Sequence, residues 1–298
     1  MEKGFAAANV TGRTILQMEG PESLDLLQRI STNDLSNAPS GACRDTVLTT
    51  EKGRIIDVVS VYVAFTDRLL LVGQSRSPGE IRNWIEKFII MEDVRVTDAT
   101  QRYDHLVFLP TPKESTEQNE IKSLKANLLH RINKPNIQGM VFEQTWDGIV
   151  MTHVLLEKGA VLTQEINLVP AETFEALRIQ LGIPSNPQEL NPAYNPLEAN
   201  LQSKVSFTKG CYVGQEVIAR LDTYKKLQRK LVKLEIPARV NNAPYQIYSG
   251  REEVGLMTSV APVGNSLSTG LGYVRLQWIE QSLQMKSEGR EIPLKLLL

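Results

Sequence analysis

The sequence predicts an α+β protein, with a mixed body over residues 1–221 followed by a small C-terminal β-barrel over residues 222–298. Strand-like and helix-like apolar patterns alternate through the first part, as is typical of a mixed body. After Leu221 the pattern changes to short alternating strands separated by glycine turns, which indicates a closed barrel. The length of 298 residues suffices for two or three folding units.

The body begins with a predicted strand, a helix and an antiparallel meander. Residues 13–18 form the strand, and residues 22–30 form a helix whose apolar positions share one face before the turn-prone STND. Three runs rich in Val, Ile and Leu follow, separated by the turn signals EKG and TD, and their spacing predicts neighbouring antiparallel strands. These runs are residues 45–49, 54–65 and 68–72.

A second helix is predicted to begin at Pro78. Ser77 and Glu80 have the spacing of a capping box, and an apolar stripe at helical spacing follows, so this helix should pack against the core. Its members are Ile81, Trp84, Ile85, Phe88 and Ile89. Further strands are predicted at residues 94–96 and 105–109, with two or three more within 139–162.

A third helix starts at Pro170 and ends at Gly182 and Pro184. Residues 184–203 contain four prolines and four asparagines, which predicts an irregular loop longer than the usual connection. Residues 222–228 then form a linker to the barrel. The predicted barrel strands are residues 230–236, 254–259, 270–275 and 293–297.

The octapeptide KGCYVGQE, residues 209–216, is the most informative segment for function. It combines a thiol, an ammonium, two glycines, an amide and a carboxylate. A nearby cation such as Lys209 lowers the pKa of a thiol and favours the nucleophilic thiolate, while Gly210 and Gly214 allow a close backbone approach. An isolated cysteine is more often a small buried hydrophobe, but this setting favours a functional Cys211.

This octapeptide resembles the motif of the YgfZ family, the folate-binding relatives of the glycine cleavage T-protein that support iron–sulfur enzymes. The resemblance covers most of the chain, and its segments come in the family's order. They are GPESLDLLQRISTNDLS, TTEKGRIIDVVSVY, RIQLGIP, NPLEANLQSKVSFTKG, VGLMTSVAP and LGYVR.

The resemblance implies a T-protein-like fold of three subdomains around a central opening that admits tetrahydrofolate or a folate derivative. It also implies that Cys211 and Lys209 are the functional pair. Further cofactor-binding candidates come from the STND, EKG and PLEA segments and from the rest of the octapeptide. They are Asn33, Asp34, Asp57, Glu198, Gly210, Tyr212, Gly214, Gln215 and Glu216.

Two departures from the T-protein pattern bear on activity. The second of two adjacent aspartates is Val58 in this chain, and a valine side chain cannot donate, accept or carry a proton for aminomethyl transfer. The RxEAG run of the T-protein appears here as RIQLG, in which Gln180 replaces the carboxylate. Ordinary T-protein chemistry is therefore disfavoured.

Composition limits the classes of partner. The chain has 33 basic and 34 acidic residues, so no overall charge attracts nucleic acid or an anionic membrane. The basic run from Lys225 to Lys233 is expected to be a solvated face, with the glutamate tail of a folate as its alternative partner and RNA less favoured. No secretory signal or membrane span is recognised, so a cytoplasmic location is expected.

Cysteine and histidine usage disfavours a metal centre. Cys43 and Cys211 are far apart and lack CxxC spacing, and a cluster usually requires about four thiolates. The three histidines, His105, His130 and His153, are scattered and are expected to be structural. The chain could assist cluster proteins without holding a cluster itself.

Three functional hypotheses follow. The favoured one is a folate-binding factor that uses Cys211 in assembly or repair of iron–sulfur proteins, with those proteins or their assembly factors as partners. The alternative is a folate-dependent aminomethyltransferase of the T-protein type. The third is a folate-binding scaffold without chemistry. The sequence leaves open the client proteins, including any tRNA-modifying enzyme, and the folate species.

Overall fold

The computed structural model describes residues 5–65, 67–110, 139–159, 168–287 and 289–297. The helices of this part are α1 (Ser23–Ile30), α2 (Pro78–Glu86), α3 (Ala171–Leu181) and α4 (Gln215–Thr223). No helix within these ranges is long and apolar enough to cross a membrane.

A five-stranded sheet contains the predicted meander. Its order is β3-β4-β5-β2-β6, and β4 and β5 are antiparallel. The predicted strands and the helix α1 are confirmed to within two residues at most ends. The strands are β2 (Ile15–Glu19), β3 (Cys43–Thr49), β4 (Ile55–Phe65), β5 (Arg68–Gly73) and β6 (Arg95–Asp98).

Helix α2 begins at the predicted proline and buries Ile81 and Ile85. The predicted capping box is wrong, because the Ser77 side chain makes no capping hydrogen bond. The backbone carbonyl of Ser77 instead accepts the N–H groups of Glu80 (3.1 Å) and Ile81 (3.2 Å). Proline at the first helical position has no N–H to satisfy, so the helix needs fewer side-chain caps.

A four-stranded antiparallel sheet has the order β1-β7-β9-β8. Its strands are β1 (Phe5–Asn9), β7 (Tyr103–Pro110), β8 (Gly139–Trp146) and β9 (Ile149–Glu157). The sequence did not predict β1, because the run FAAAN consists mostly of alanine, a weak strand former. Its pairing with β7 determines its conformation.

The C-terminal segment is a closed six-stranded barrel, as predicted. Its order is β10-β13-β12-β11-β14-β15, and β10 pairs with β15 to close the ring. The strands are β10 (Arg229–Ile236), β11 (Tyr245–Ser249), β12 (Glu252–Val263), β13 (Leu267–Arg275), β14 (Leu283–Ser287) and β15 (Arg290–Leu297). Fully buried Leu234, Ile247 and Met257 are part of the barrel core. The short strands β11 and β14 were not predicted.

The chain divides into two compact units. The first unit contains Met1–Leu27, Leu35–Asp45 and Val59–Leu177, and the second contains Gln28–Asp34, Thr46–Val58 and Arg178–Leu298. All of the candidate site residues belong to the second unit. The predicted division into a body over residues 1–221 and a barrel domain over residues 222–298 stays a prediction.

Candidate functional site

The octapeptide connects a loop to the start of helix α4 and exposes the thiol at its centre. Cys211 is exposed, whereas the neighbouring Tyr212 is buried. Tyr212 packs in a cluster with Leu197, Val205 and Ile218, and burial raises the pKa of its phenol to about 12. The buried ring of Tyr212 therefore anchors the loop, and the sulfur of the neighbouring Cys211 stays accessible to solvent.

Lys209 is tied to the segment at the end of helix α1. Its Nζ donates to the backbone carbonyls of Gln28 (2.6 Å), Ser31 (2.8 Å) and Asn33 (2.7 Å). Burial lowers the pKa of this ammonium to about 8, although the nearby carboxylate of Asp34 opposes that shift. An ammonium has three donors, and all three are used here, so none is left for the Cys211 thiolate. Lys209 thus anchors the loop that carries the thiol.

A second anchor lies two residues beyond the cysteine. The carbonyl of Val213 accepts the hydroxyl of Thr49 (2.7 Å), and its N–H donates to the carbonyl of Arg29 (3.3 Å). The loop is therefore held on both sides of Cys211, by Lys209 and by Val213. Such restraint lowers the entropy that an exposed thiol loses when it meets a reactant.

Gly214 brings the octapeptide into backbone contact with the EKG turn. This residue caps helix α4 in the left-handed region, with φ of 83°. A Cβ at this position would lie 2.6 Å from the carbonyl oxygen of Thr50 and 3.0 Å from the Cα of Gly53. Both the backbone conformation and the space therefore require glycine. Two segments of the family resemblance meet at this contact.

We expect Gly214→Ala to lower the free energy of unfolding by about 2 kcal/mol, from left-handed strain and the clash with the turn. Urea denaturation followed by circular dichroism measures this change. Gly250→Ala is the matched control for strain alone, because Gly250 has φ of 59° and no atom within 4 Å of an added Cβ. Equal losses for the two variants would contradict a role for the close contact.

Asn33 and Asp34 are half-buried beside Lys209. The N–H of Asn33 donates to the Thr46 hydroxyl (2.8 Å), and the Asn33 side-chain oxygen accepts the N–H of Asp34 (2.9 Å). The carboxylate of Asp34 accepts the amide of Gln28 (3.0 Å). These hydrogen bonds hold Asn33 and Asp34 in place next to Lys209.

Asp57 and Glu198 are enclosed within the protein. The Asp57 side chain is 0% exposed and accepts the N–H of Val58 (2.9 Å), and Val58 is equally buried. Glu198 is 4% exposed and is paired with Arg229 (3.1 Å) and Arg54 (3.5 Å). These contacts give both carboxylates partners inside the protein.

The remaining octapeptide residues shape the start of helix α4. Gly210 and Glu216 are exposed, and Gln215 is partly buried. The N–H of Gln215 donates to the Tyr212 carbonyl (3.2 Å), and Glu216 places a negative charge in the first helical turn, where the helix dipole favours it. Their cofactor-binding roles stay predictions.

Sequence spacing did not reveal one contact between two histidines. His105 and His153 are joined by a 2.9 Å contact between ring nitrogens, across the neighbouring strands β7 and β9. Burial holds the pKa of His105 well below its usual value, so the ring stays neutral, consistent with a structural role. His130 lies outside the described residues. Within those residues, no group of three or more His, Cys, Asp or Glu side chains could hold a metal ion.

The hydrogen-bond acceptors next to Lys209 are compatible with a folate. Pterin rings carry amino and ring N–H donors, and the half-buried residues Asn33 and Asp34 have side-chain oxygens that accept hydrogen bonds. Asp57 and Glu198 match less well, because they are only 0% and 4% exposed. Asn33 and Asp34 are therefore the better match among these four candidate residues.

Comparison with known proteins agrees with this architecture. Residues 3–109 match the GCVT N-terminal domain. A chloroplastic protein of Arabidopsis thaliana, named as a transferase, is 29% identical over 93% of this chain and 66% of its own length. The aminomethyltransferase of Oceanobacillus iheyensis is 25% identical over 94% of this chain and 81% of its own length.

A solved structure extends the similarity to the whole fold. The glycine cleavage system aminomethyltransferase T from Bartonella henselae superposes with a TM-score of 0.81 at 16% identity, covering 100% of this chain and 86% of that chain. The protein is thus of the aminomethyltransferase T fold class. More particularly, residues 3–109 are similar to the GCVT N-terminal domain, and the C-terminal segment is a closed six-stranded barrel.

Proposed function

We propose that this protein binds a folate and supports the assembly or repair of iron–sulfur proteins through Cys211. The observation that carries the proposal is the exposed thiol of Cys211 on a loop that is anchored two residues before it by Lys209 and two residues after it by Val213. The GCVT domain and the aminomethyltransferase T fold support a folate-type cofactor. Bound tetrahydrofolate would supply a carrier for one-carbon units.

In the sulfur-transfer form of this proposal, the Cys211 thiolate attacks the outer sulfur of a persulfide on a partner protein. A new S–S bond forms at Cys211, the partner's S–S bond breaks, and the partner leaves as a thiolate. No net oxidation occurs. Lys209 and Val213 hold the loop, so the sulfur meets its partner in one orientation. Acceptance of a one-carbon unit by Cys211 is the other form of the proposal.

The alternative function is aminomethyl transfer, as the names of several relatives indicate for those proteins. That reaction needs a group that handles protons at the reacting nitrogen. Val58 stands at the second acidic position, and it is fully buried beside an enclosed Asp57. This pair of observations favours the thiol proposal over the transferase alternative.

The test replaces the native protein in cells with Cys211→Ala. We expect the activity of a [4Fe–4S] enzyme to fall several-fold relative to a cluster-free enzyme, while the purified variant still binds tetrahydrofolate. Cys43→Ala is the matched control, because Cys43 is the other cysteine and lies in strand β3. Unchanged cluster enzymes in Cys211→Ala would reject the thiol mechanism.

Folate binding is tested separately. Titration of the purified protein with tetrahydrofolate should saturate below the millimolar range, and the absence of binding at millimolar ligand would reject the folate proposal. Cluster-protein partners are part of the proposal. The compartment stays a prediction, because one relative carries a chloroplast name.

A further inference from the structure

An open cavity of about 870 Å³ lies at the edge of the barrel, within the second unit. Its size falls in the range of small-molecule sites. Strands β11, β12 and β13 contribute to its wall, together with Arg229 at the start of β10 and the segment before it. We call it the barrel-edge cavity, and its charged lining residues are Lys225, Arg229, Glu253 and Arg275. The lining therefore carries three cations and one carboxylate.

Two of these cations are direct neighbours in the sheet. Arg229 and Arg275 are opposite each other in the antiparallel pairing of β10 and β13. Opposed residues of such a pair place their side chains on the same face, with Cβ atoms about 5 Å apart, and like charges there are destabilising. Both side chains line the barrel-edge cavity. A bound anion would remove this repulsion.

The guanidinium of Arg229 is already held in place. Its Nε donates to Glu198 (3.1 Å), its Nη2 donates to the carbonyl of Ala193 (3.2 Å), and it lies 5.0 Å from the ring centre of Tyr194. Among the described residues, no acceptor contacts its Nη1. A guanidinium with fixed orientation and a spare donor is suited to an oxyanion.

The side chain of Arg275 makes no hydrogen bond or ion pair among the described residues, whereas that of Arg229 bonds to Glu198. It is exposed at the end of β13. The aromatic wall of the cavity is also rigid, because Tyr194 stacks on Tyr273 with ring centres 3.4 Å apart and planes 10° from parallel. The Tyr273 hydroxyl donates to the carbonyl of Glu189 (2.8 Å). A fixed cation, an unpaired cation and a fixed aromatic wall therefore meet in one cavity.

We propose that the barrel-edge cavity binds a small polyanion, whose carboxylate or phosphate groups are held between Arg229 and Arg275. The site is distinct from the Cys211 loop. Carboxylates and phosphates both present a pair of oxygens that a guanidinium can bind in a bidentate manner, and the experiment below distinguishes these two groups.

The experiment titrates the full chain by calorimetry with citrate and, separately, with pyrophosphate, at an ionic strength kept constant with sodium chloride. We expect at least one of them to bind, and the one that binds more tightly identifies the chemistry. Arg275→Gln should weaken that binding by about tenfold or more, the usual effect of losing a hydrogen bond to a charged group. Arg290→Gln, an exposed arginine outside the cavity, should bind as the wild type does.

A second readout needs no ligand. Arg275→Gln removes the like-charge pair, so its melting temperature without anion should rise by about 1–3 °C. Failure of both anions to bind at millimolar concentration would overturn the proposal, as would equal weakening by Arg290→Gln. Cys211→Ala should bind the anion normally, so this site can fail or succeed independently of the proposed thiol function.

Discussion

Replacement of Arg178 with methionine is expected to lower the free energy of unfolding by about 3–5 kcal/mol. Arg178 pairs with Glu189 at 3.1 Å, and both side chains are almost completely buried. The second oxygen of Glu189 accepts the hydroxyls of Thr258 and Ser259, each at 2.6 Å. Without the arginine, a buried carboxylate would lack its compensating charge, which is the costly case for an ion pair.

Urea denaturation monitored by circular dichroism measures this loss. Arg82→Met is the matched control, because Arg82 pairs with Glu86 at 3.5 Å on an exposed face of helix α2, where such pairs contribute about 0.5 kcal/mol or less. The double variant Arg178→Met with Glu189→Leu should recover part of the loss, since both charges are then removed. A loss below about 1 kcal/mol in Arg178→Met would contradict this assignment.

Lys209→Met is expected to have the second largest effect, with a loss of about 2–3 kcal/mol. The change leaves the carbonyls of Gln28, Ser31 and Asn33 without their shared donor, and partly buried acceptors without partners are costly. The end of helix α1 should loosen first. Hydrogen exchange should therefore rise at the amides of residues 31–34 before the barrel strands change.

The pH dependence provides a separate test of Lys209. Its folded-state pKa is lowered from 10.5 to about 8, chiefly by burial. Between these two values the unfolded chain binds more protons than the folded chain, so this group makes stability rise with pH across that window. Below about pH 8 both states are charged, and the burial penalty is fully present. The wild type should therefore gain stability relative to Lys209→Met from pH 8 to 10.5.

Lys230→Met is the matched control for this pH series, because Lys230 is exposed in strand β10. Its stability should run parallel to that of the wild type. Parallel curves for the wild type and Lys209→Met would show that burial does not lower the pKa of Lys209. An increase in hydrogen exchange confined to the barrel would contradict the anchoring role as well.

Periodicity identified the larger elements of this fold because their patterns are local. The meander from β3 to β5 and helix α2 have apolar spacing that specifies one buried face, and the structure has them where the sequence predicts them, except that α2 ends at Glu86, before Phe88 and Ile89 of the predicted stripe. Strands β11 (YQIYS) and β14 (LQMKS) escaped prediction because they are short and largely polar. They become strands through pairing with their neighbours in the closed barrel.

The roles of Lys209 and Arg275 could not be inferred from their neighbours in the sequence. Lys209 lies two residues from Cys211 in sequence, yet its ammonium bonds to carbonyls about 180 positions earlier in the chain. The proposed role of Arg275 in anion binding depends on the strand register, which places it opposite Arg229. Long-range contacts of this kind depend on tertiary structure, which a single sequence does not specify by spacing. The exposed thiol, in contrast, follows from the glycine-rich motif that surrounds it.

The contact between Gly53 and Gly214 couples the length of one turn to the position of the sulfur. At the start of that turn, the Thr49 hydroxyl donates to the Val213 carbonyl. The Thr50 carbonyl oxygen lies 2.6 Å from where a Cβ on Gly214 would be. An insertion or deletion between residues 50 and 53 would therefore displace the helix start and, with it, the cysteine three residues earlier. Engineering that aims to redirect this thiol toward a new reactant can alter the turn and leave the octapeptide intact.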